Sequence, residues 1–345
     1  MNIYPGEGIC WMKRADERDT IFARMTYEKG SSRNKDYYSS RKELEKIDDE
    51  LRKIGNFPSP AVANFKFLAD IRPFADGESA PKRIKVDPAD MTRKIKALAH
   101  YYGADVTGIA ELTEKHYYSH RGRPASEYGK EVREILPMGI VTGIRMDMDV
   151  IDTAPSPPVV VESSKSYVKA AVTGMMISYY LRELGYRARN HMDGNYLLVA
   201  GRAAADAGLG EFGRCGMLVN PDHGPAVRYS VVSTDIPLIA DNPVSFGLKE
   251  FCRECHNCDR YCPVSAISSD EEPEKWKVDA EKCYRWWGQA GSDCSLCIKA
   301  CPFSWGIGRE DLSLISKDKS KIHEILDEFN KNFQKRSEKQ NPEWF

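Results

Sequence analysis

The feature that most constrains this chain is a cysteine run, CRECHNCDRYCP, at residues 252–263. Its spacing, C-x2-C-x2-C-x3-C-P, directs three thiolates to one [4Fe–4S] cluster, while the fourth thiolate reaches a neighbouring cluster. Structural zinc sites are the alternative, but they favour paired C-x2-C knuckles over three evenly stepped cysteines closed by Cys-Pro. The run therefore predicts a fold built around iron–sulfur clusters.

A second cysteine run, CYRWWGQAGSDCSLCIKACP, follows at residues 283–302. It repeats only the C-x2-C-x3-C-P half of the pattern, because Gly291 stands where the first cysteine of the repeat is expected. Cys283 can supply the missing ligand. With the fourth ligands crossed between the runs, the two predicted sets are Cys252, Cys255, Cys258 and Cys301 for cluster 1, and Cys262, Cys283, Cys294 and Cys297 for cluster 2.

Composition narrows the function classes. The chain has 345 residues, and 50 Lys and Arg balance 51 Asp and Glu to a net charge of -1. No nucleic-acid partner is expected, because phosphate binding favours a basic face. No membrane span is expected either, because no apolar run reaches about 18 residues. The N-terminal residues have neither a secretory pattern nor a twin arginine, which predicts a cytoplasmic location unless a leader has been removed.

Periodicity and end signals predict the main elements. Residues 1 to about 60 are charged and helical in pattern, and a helix bracketed by Asp87-Pro88 and Gly103 follows. A long helix is predicted over 164–184, with Gly185 as its stop. Strand-like segments are DVTGIAEL (105–112), GIVTGIRMDM (139–148), NYLLVA (195–200) and AVRYSVVSTD (226–235). Strands alternating with helices favour an α/β core.

Gly208, Gly210 and Gly213 spell G-x-G-x-x-G. A dinucleotide site needs a strand before this motif, and the preceding AAADA is typical of a helix. The glycines are therefore predicted to let the backbone approach another large, flat ligand.

Several blocks together resemble the corrinoid-dependent reductive dehalogenases. They are AGLGEFGRCGMLVNPDHGPAVRYSVVSTDIPL (207–238), the two cysteine runs, DERDTIFARM and LRELGYRARNHMDGNY. Epoxyqueuosine reductase is a sister family with the same cobalamin and two-cluster plan. The resemblance implies an α/β (α+β) fold, with a nitroreductase-like core that binds cobalamin, a ferredoxin-like domain with two [4Fe–4S] clusters, and a helical N-terminal arm.

Four units follow from the resemblance and the patterns. An N-terminal arm and helical unit spans 1–130, the cobalamin-binding core spans 131–246, the ferredoxin-like domain spans 247–312, and a C-terminal tail spans 313–345.

The resemblance implies that Tyr167 is the proton donor and Arg228 its partner. A nearby guanidinium is expected to lower the pKa of a phenol and bring donation closer to neutral pH. The alternative is structural, with Tyr167 packed at a helix end and Arg228 paired to a surface acid. A third polar position falls on Asp193 or Asn195.

Two tryptophans follow the cluster ligand Cys283. Trp286 and Trp287 are expected to wall an apolar substrate pocket or, equally, to shield the cluster from water.

The resemblance further implies cobalamin contacts at Gly208, Gly210, Gly213, His223 and Gly224. Of these, His223 is also compatible with a structural histidine in a turn. The sequence lacks D-x-H-x-x-G, the motif that supplies a lower-face histidine to cobalt in other corrinoid proteins. Base-off cobalamin, reducible to Co(I), is therefore expected.

The expected function is reductive dehalogenation of an organohalide by cobalamin that receives electrons through two clusters. A low-potential donor such as reduced ferredoxin or flavodoxin is the expected partner, and a homodimer is left open. The alternatives are an epoxyqueuosine-reductase-like enzyme acting on tRNA and a non-catalytic corrinoid or electron-transfer protein. The balanced charge and a tyrosine in place of that sister family's carboxylate disfavour the tRNA enzyme.

Overall fold

In this computed structural model, the structure describes residues 13–27, 53–54, 57–307, 318–334 and 341–345. The predicted helical segment RKELEKIDDELRKIG (41–55) lies mostly outside the described residues, as does Cys10. The helices are α1 Ile21–Tyr27, α2 Pro60–Ile71, α3 Pro88–Tyr101, α4 Met148–Ile151, α5 Pro158–Glu183, α6 Ala200–Asp206, α7 Leu248–Cys255, α8 Asn257–Arg260, α9 Ala280–Ala290, α10 Leu296–Lys299 and α11 Lys319–Gln334. The strands are β1 Lys53–Ile54, β2 Phe57–Pro58, β3 Val106–Glu111, β4 Met138–Arg145, β5 Ala188–His191, β6 Glu211–Phe212, β7 Leu218–Val219 and β8 Val227–Thr234.

A four-stranded sheet in the order β3-β4-β8-β5 forms the centre of the larger unit. Every pairing in it is antiparallel, with Ile140 opposite Val232 and Thr142 opposite Ser230. The sheet is therefore the α+β form of the predicted class. The predicted boundary at residue 130 falls between β3 and β4, so this sheet draws on both of the first two predicted units.

Both faces of the sheet are covered. On one face, Ile109, Ile140 and Val232 pack with side chains of α3 and α5. On the other, Val141 and Val231 pack with the alanine-rich α6 and its flanking segments. Because neighbouring residues of a strand point to opposite faces, continuous burial along β8 follows from coverage on both sides.

Local signals account for two helices. The Asp87 side chain accepts a hydrogen bond from the Asp90 amide (2.9 Å), and Pro88 begins α3 as predicted. The long helix α5 begins at Pro158, six residues before its predicted start, because a proline fits the first helical turn. Its predicted end is confirmed, since Gly185 has a φ of +83° directly after the last turn.

One predicted strand is wrong. The segment NYLLVA (195–200) contains only an isolated bridge between Leu198 and Tyr117, and its last residue, Ala200, begins α6. The remaining predicted strands correspond to β3, β4 and β8.

The second unit begins with α7, close to the predicted boundary at 247. Part of the predicted tail belongs to this unit, because Ile322 and Leu326 of α11 pack with Leu248 and Phe251 of α7. None of the helices in the described part of the chain is long and apolar enough to cross a bilayer.

Candidate functional site

A cavity of about 650 Å³ lies where the sheet unit meets the cysteine-rich unit. Helix α2, helix α5 and strand β8 form one side, and α9 with the cysteine loops forms the other. The cavity reaches the surface at α2, where Phe65 is 38% exposed. Its volume lies within the range of small-molecule and cofactor sites.

The eight predicted ligand cysteines are divided between two cavities, and Cys215 lines both of these cavities. Cys262, Cys283, Cys294 and Cys297 all line the large cavity. Cys252, Cys255, Cys258 and Cys301 line a second, smaller cavity. Each set thus surrounds open space, and within the described residues no three Cys, His, Asp or Glu side chains are grouped as a site for a single metal ion. This geometry fits a cluster that fills the space between its ligands.

The two cysteine runs also share a backbone conformation. His256, between Cys255 and Cys258, has φ and ψ of 54° and 9°, and Ser295, between Cys294 and Cys297, has 55° and 10°. Both conformations are left-handed, which non-glycine residues adopt rarely and mostly where function requires it. Each residue precedes a one-turn helix, α8 or α10, that carries the next cysteine of its run.

Burial raises the pKa of several predicted ligand thiols. The pKa of Cys255 rises to about 11 and that of Cys283 to about 12, and those of Cys258, Cys297 and Cys301 lie well above the usual range. Buried thiolates need a cation to remain ionised, and iron supplies one. The donor set therefore fits iron–sulfur clusters.

Tyr167 and Arg228 meet on the wall of the large cavity. The Arg228 guanidinium lies 5.3 Å from the centre of the Tyr167 ring. Arg228 donates a hydrogen bond to the Ser163 hydroxyl (3.2 Å), and Ser163 donates one to Asp293 (2.6 Å). The pair is therefore held by contacts from α5, β8 and the loop before Cys294.

The expected lowering of the Tyr167 pKa is wrong. Burial raises the pKa of this phenol to about 12, and the opposing effect of Arg228 is smaller. The negative charges of Asp193 and Asp293 also raise the pKa of Tyr167. The Tyr167 hydroxyl is therefore fully protonated at neutral pH.

The two candidates for the third polar position lie in different places. Asp193 and Arg123 both line the cavity. Burial of the Arg123 guanidinium lowers its pKa, and the negative charge of Asp193 raises it. Asn195 is buried and accepts hydrogen bonds from Arg121 (2.7 Å) and Arg189 (3.1 Å). Only Asp193 lines the cavity.

Both tryptophans line the large cavity next to cluster 2 ligands. Burial raises the pKa of the Cys294 and Cys283 thiols. The nearby indole N–H groups of Trp286 and Trp287, respectively, lower these pKa values by a smaller amount. Both indole nitrogens are buried, and neither has a regular hydrogen-bond acceptor in the described part of the chain. A sulfide-rich cluster between these cysteines would provide acceptors for both.

The predicted cobalamin glycines approach the protein's own backbone. A Cβ atom on Gly208 would lie 2.6 Å from the Asn242 carbonyl oxygen, and one on Gly210 would lie 2.2 Å from that of Val219. Gly213, His223 and Gly224 are likewise absent from the described lining of the large cavity. Their assignment to cobalamin stays a prediction.

The residues of the large cavity fit a large apolar ring. Ala266, Ile267, Val278, Leu296 and Ile298 line it beside the cluster 2 cysteines. No histidine is among the described residues that line the cavity. The ring would lie between the cysteines and Tyr167.

The sequence interpretation missed several cavity residues. Ser163 stands one helical turn before Tyr167, a spacing that places both on one face of α5. Asp293 directly precedes the ligand Cys294, and Phe22 lies within the DERDTIFARM block. The sequence around Ser163, Asp293 and Phe22 contains a feature that could have identified each of them, whereas the sequence around Arg123 contains none.

Comparisons with known proteins agree with this geometry. Residues 251–305 match the family model of the 4Fe-4S dicluster domain. The chain is 31% identical over 261 residues to a tetrachloroethene reductive dehalogenase of Sulfurospirillum multivorans, a match that covers 64% of this chain and 51% of the relative. A more distant relative is an epoxyqueuosine reductase of Lactococcus garvieae strain Lg2, which is 27% identical over 125 residues and is matched over 32% of this chain and 33% of its own length.

Among solved structures, a catabolic reductive dehalogenase in complex with 3-bromo-4-hydroxybenzoic acid matches with a TM-score of 0.77 and 24% identity. The match covers 96% of this chain and 48% of that one. The mixed helix–sheet fold with a ferredoxin-like domain is thereby confirmed. The chain spans about half the length of these dehalogenase relatives.

Proposed function

We propose that this chain, a homologue of the reductive dehalogenases and an iron–sulfur protein, catalyses reductive dehalogenation of an organohalide. The observation that carries the proposal is the large cavity, which has a buried phenol–guanidinium pair on one wall and four cysteines on the other. Electrons and a proton can thus reach one enclosed space from opposite sides. The overall change is R–X + 2e⁻ + H⁺ → R–H + X⁻.

Two [4Fe–4S] clusters are proposed on the crossed ligand sets. The support is the division of the eight cysteines between two cavities, four to each. The cysteines of cluster 2 line the large cavity and those of cluster 1 line the smaller one, so these residues would hold a pair of redox centres that a low-potential donor such as reduced ferredoxin or flavodoxin would supply with electrons.

Cobalamin is the proposed cofactor of the large cavity, held against the apolar wall that contains Ala266, Ile267, Val278, Leu296 and Ile298. When bound, it supplies the low-valent cobalt that reductively cleaves the carbon–halogen bond. Because Tyr167 and the cluster 2 cysteines line the same cavity, the surrounding protein would exclude bulk water from a substrate bound there.

Tyr167 is proposed to donate the proton from its hydroxyl. Its raised pKa keeps the donor protonated throughout the working pH range. The Arg228 cation faces the ring at 5.3 Å and would stabilise the phenolate that donation leaves behind. Ser163 and Asp293 fix the guanidinium in that position through their hydrogen bonds.

The substrate is proposed to occupy the part of the cavity beside Phe22, Trp286 and Trp287. These rings line the cavity, and the Phe22 and Trp287 ring centres lie 6.0 Å apart. An aromatic wall favours an apolar organohalide, because burial of such a molecule removes apolar surface from water.

The test is halide release by the full chain after anaerobic reconstitution with iron, sulfide and cobalamin. Tetrachloroethene and 3-bromo-4-hydroxybenzoic acid serve as aliphatic and aromatic probes. We expect about eight irons per chain, following the two four-cysteine sets, stoichiometric cobalamin, and release of chloride or bromide. Four irons would contradict the two-cluster arrangement. Full loading without halide release from any probe of a wider panel would instead favour an electron-transfer protein.

A further inference from the structure

Arg214 is a buried charge that the proposed chemistry leaves without a role. Its side chain is 1% exposed and is the largest among the almost completely buried side chains in the described part of the chain. An arginine remains charged at every accessible pH, and burying such a charge costs several kcal/mol unless the surroundings compensate. Its location therefore requires a reason.

The guanidinium contacts the backbone of a predicted cluster 1 ligand. Arg214 Nε and Nη2 donate to the carbonyl oxygen of Cys252 at 3.2 and 3.0 Å. Nη1 donates to the carbonyl oxygens of Ser268 (3.1 Å) and Asp270 (2.6 Å). Arg214 also lines the small cavity that the cluster 1 cysteines surround. The charge is thus fixed beside cluster 1 by several bonds.

The neighbouring charges leave this cation only partly neutralised. Arg214 Nη2 also lies 3.2 Å from His256 Nε2, and His256 Nδ1 lies 3.1 Å from Asp259. The Asp259 carboxylate is 3.7 Å from Arg214 Nε, beyond hydrogen-bond length, and it is shared with His256. Arg260 adds a further positive charge near Cys255.

Cluster 2 has a different charged neighbour. Asp293, a carboxylate, directly precedes Cys294 and lines the same cavity as the cluster 2 cysteines. The Arg214 guanidinium thus bonds directly to the backbone of a predicted cluster 1 ligand, whereas Asp293 stands beside a predicted cluster 2 ligand.

We propose that Arg214 is a tuning residue that selectively raises the reduction potential of cluster 1. The inference rests on the two-cluster arrangement of the proposed function. Reduction adds one electron, [4Fe–4S]²⁺ + e⁻ → [4Fe–4S]⁺, supplied by a low-potential donor. A fixed positive charge in a poorly solvated site stabilises the reduced form, and charges and hydrogen bonds around a cluster are known determinants of its potential. Cluster 1 would thereby accept an electron from a donor that could not reduce it without Arg214.

The experiment is a redox titration of the full, reconstituted chain with dithionite, followed by electron paramagnetic resonance. Arg214→Met should shift cluster 1 to lower potential by about 59 mV or more, the equivalent of a tenfold change in its reduced-to-oxidised ratio. Arg214→Lys keeps the charge but loses the fork of hydrogen bonds, so it should stay close to wild type. A Cys255→Ser variant identifies the cluster 1 signal.

The control is Arg182→Met. Arg182 is also buried but packs over the Tyr179 ring on α5, away from both ligand sets, so its loss should leave both potentials unchanged. Equal shifts in the Met and Lys variants, or equal shifts of both clusters, would show that Arg214 acts through structure rather than charge and would overturn the proposal.

A second variant decides the matter if Arg214→Met loses its iron. Asp259→Asn removes the nearest carboxylate, so cluster 1 should move to higher potential, and an unchanged potential would contradict the inference. The same measurements distinguish a failure of this inference from a failure of the proposed function. These potentials require no halide release, and an iron count of four in the wild type would remove the two-cluster premise itself.

Discussion

Replacement of Tyr167 by phenylalanine tests the proton donor with the smallest change in packing. The variant keeps the ring that faces Arg228 and removes only the hydroxyl. A positioned general acid contributes roughly 10²–10⁴-fold, so turnover should fall by that factor. Cobalamin content and the cluster spectra should stay unchanged, because Tyr167 is not a predicted ligand of either.

The raised pKa gives the prediction its pH dependence. With a pKa of about 12, Tyr167 at pH 7 is five units below its midpoint, so only about 10⁻⁵ of the phenol is ionised. The rate profile should therefore show no alkaline limb from Tyr167 below about pH 11. Because the folded pKa lies above the unfolded value near ~10, the stability contributed by the neutral phenol is complete below about pH 10 and is lost as the pH rises towards 12.

The assay is halide release under steady-state conditions across pH, together with an ultraviolet titration of tyrosinate in wild type and variant. Tyr186→Phe is the matched control. Tyr186 is also buried, donates to the Ile84 carbonyl oxygen (2.8 Å) and lies away from the cavity, so its loss should affect stability and spare turnover. Normal turnover in Tyr167→Phe with cobalamin and iron intact would refute the assignment, and the proton would then come from water or Asp193.

Three further predictions concern a cluster ligand, the partner of Tyr167 and the fold. Cys262→Ala should abolish the spectrum of cluster 2 and leave cluster 1, although Cys262 stands in the first cysteine run; iron content and resonance spectra check this. Arg228→Met should lower turnover by about the same factor as Tyr167→Phe, whereas Arg228→Lys should retain part of the rate because the charge remains. Gly210→Ala should destabilise the fold by about 1–3 kcal/mol, because Gly210 has a φ of +154° and the added Cβ would lie 2.2 Å from the Val219 carbonyl oxygen; thermal unfolding measures the loss, and a melting temperature equal to wild type would contradict it.

The division of the predicted ligand cysteines between two cavities follows their spacing because the constraint is local. Cys255 and Cys258, or Cys294 and Cys297, are joined by two residues whose backbone must place both thiols on one cluster. His256 and Ser295 lie between these cysteines, and their left-handed backbone conformations are how the chain meets this requirement. Helix ends such as Gly185 were predictable for the same reason, since a few neighbouring residues determine them.

Long-range properties were not predictable in this way. The pKa of Tyr167 depends on how completely α2, α5 and the cysteine-rich unit enclose the phenol, and no sequence window contains that information. The segment 195–200 has the apolar composition of a strand, but β5 already occupies the sheet edge beside β8, so Leu198 forms only an isolated bridge. In both cases tertiary packing outweighed the local preference.

The bond from Ser163 to Asp293 gives the junction of the two units a chemical role. Asp293 belongs to the loop that carries Cys294, Ser163 belongs to the helix that carries Tyr167, and the hydroxyl between them orients Arg228. Correct placement of the proposed proton donor therefore depends on correct folding of the loop that carries Cys294. The close approach of Gly224 to Ser304, where a Cβ would lie 2.5 Å from the backbone nitrogen, fixes the same junction from the other side. A chain that has not formed its cluster 2 loop would then lack the positioned proton donor as well, so that electron delivery and protonation are assembled together.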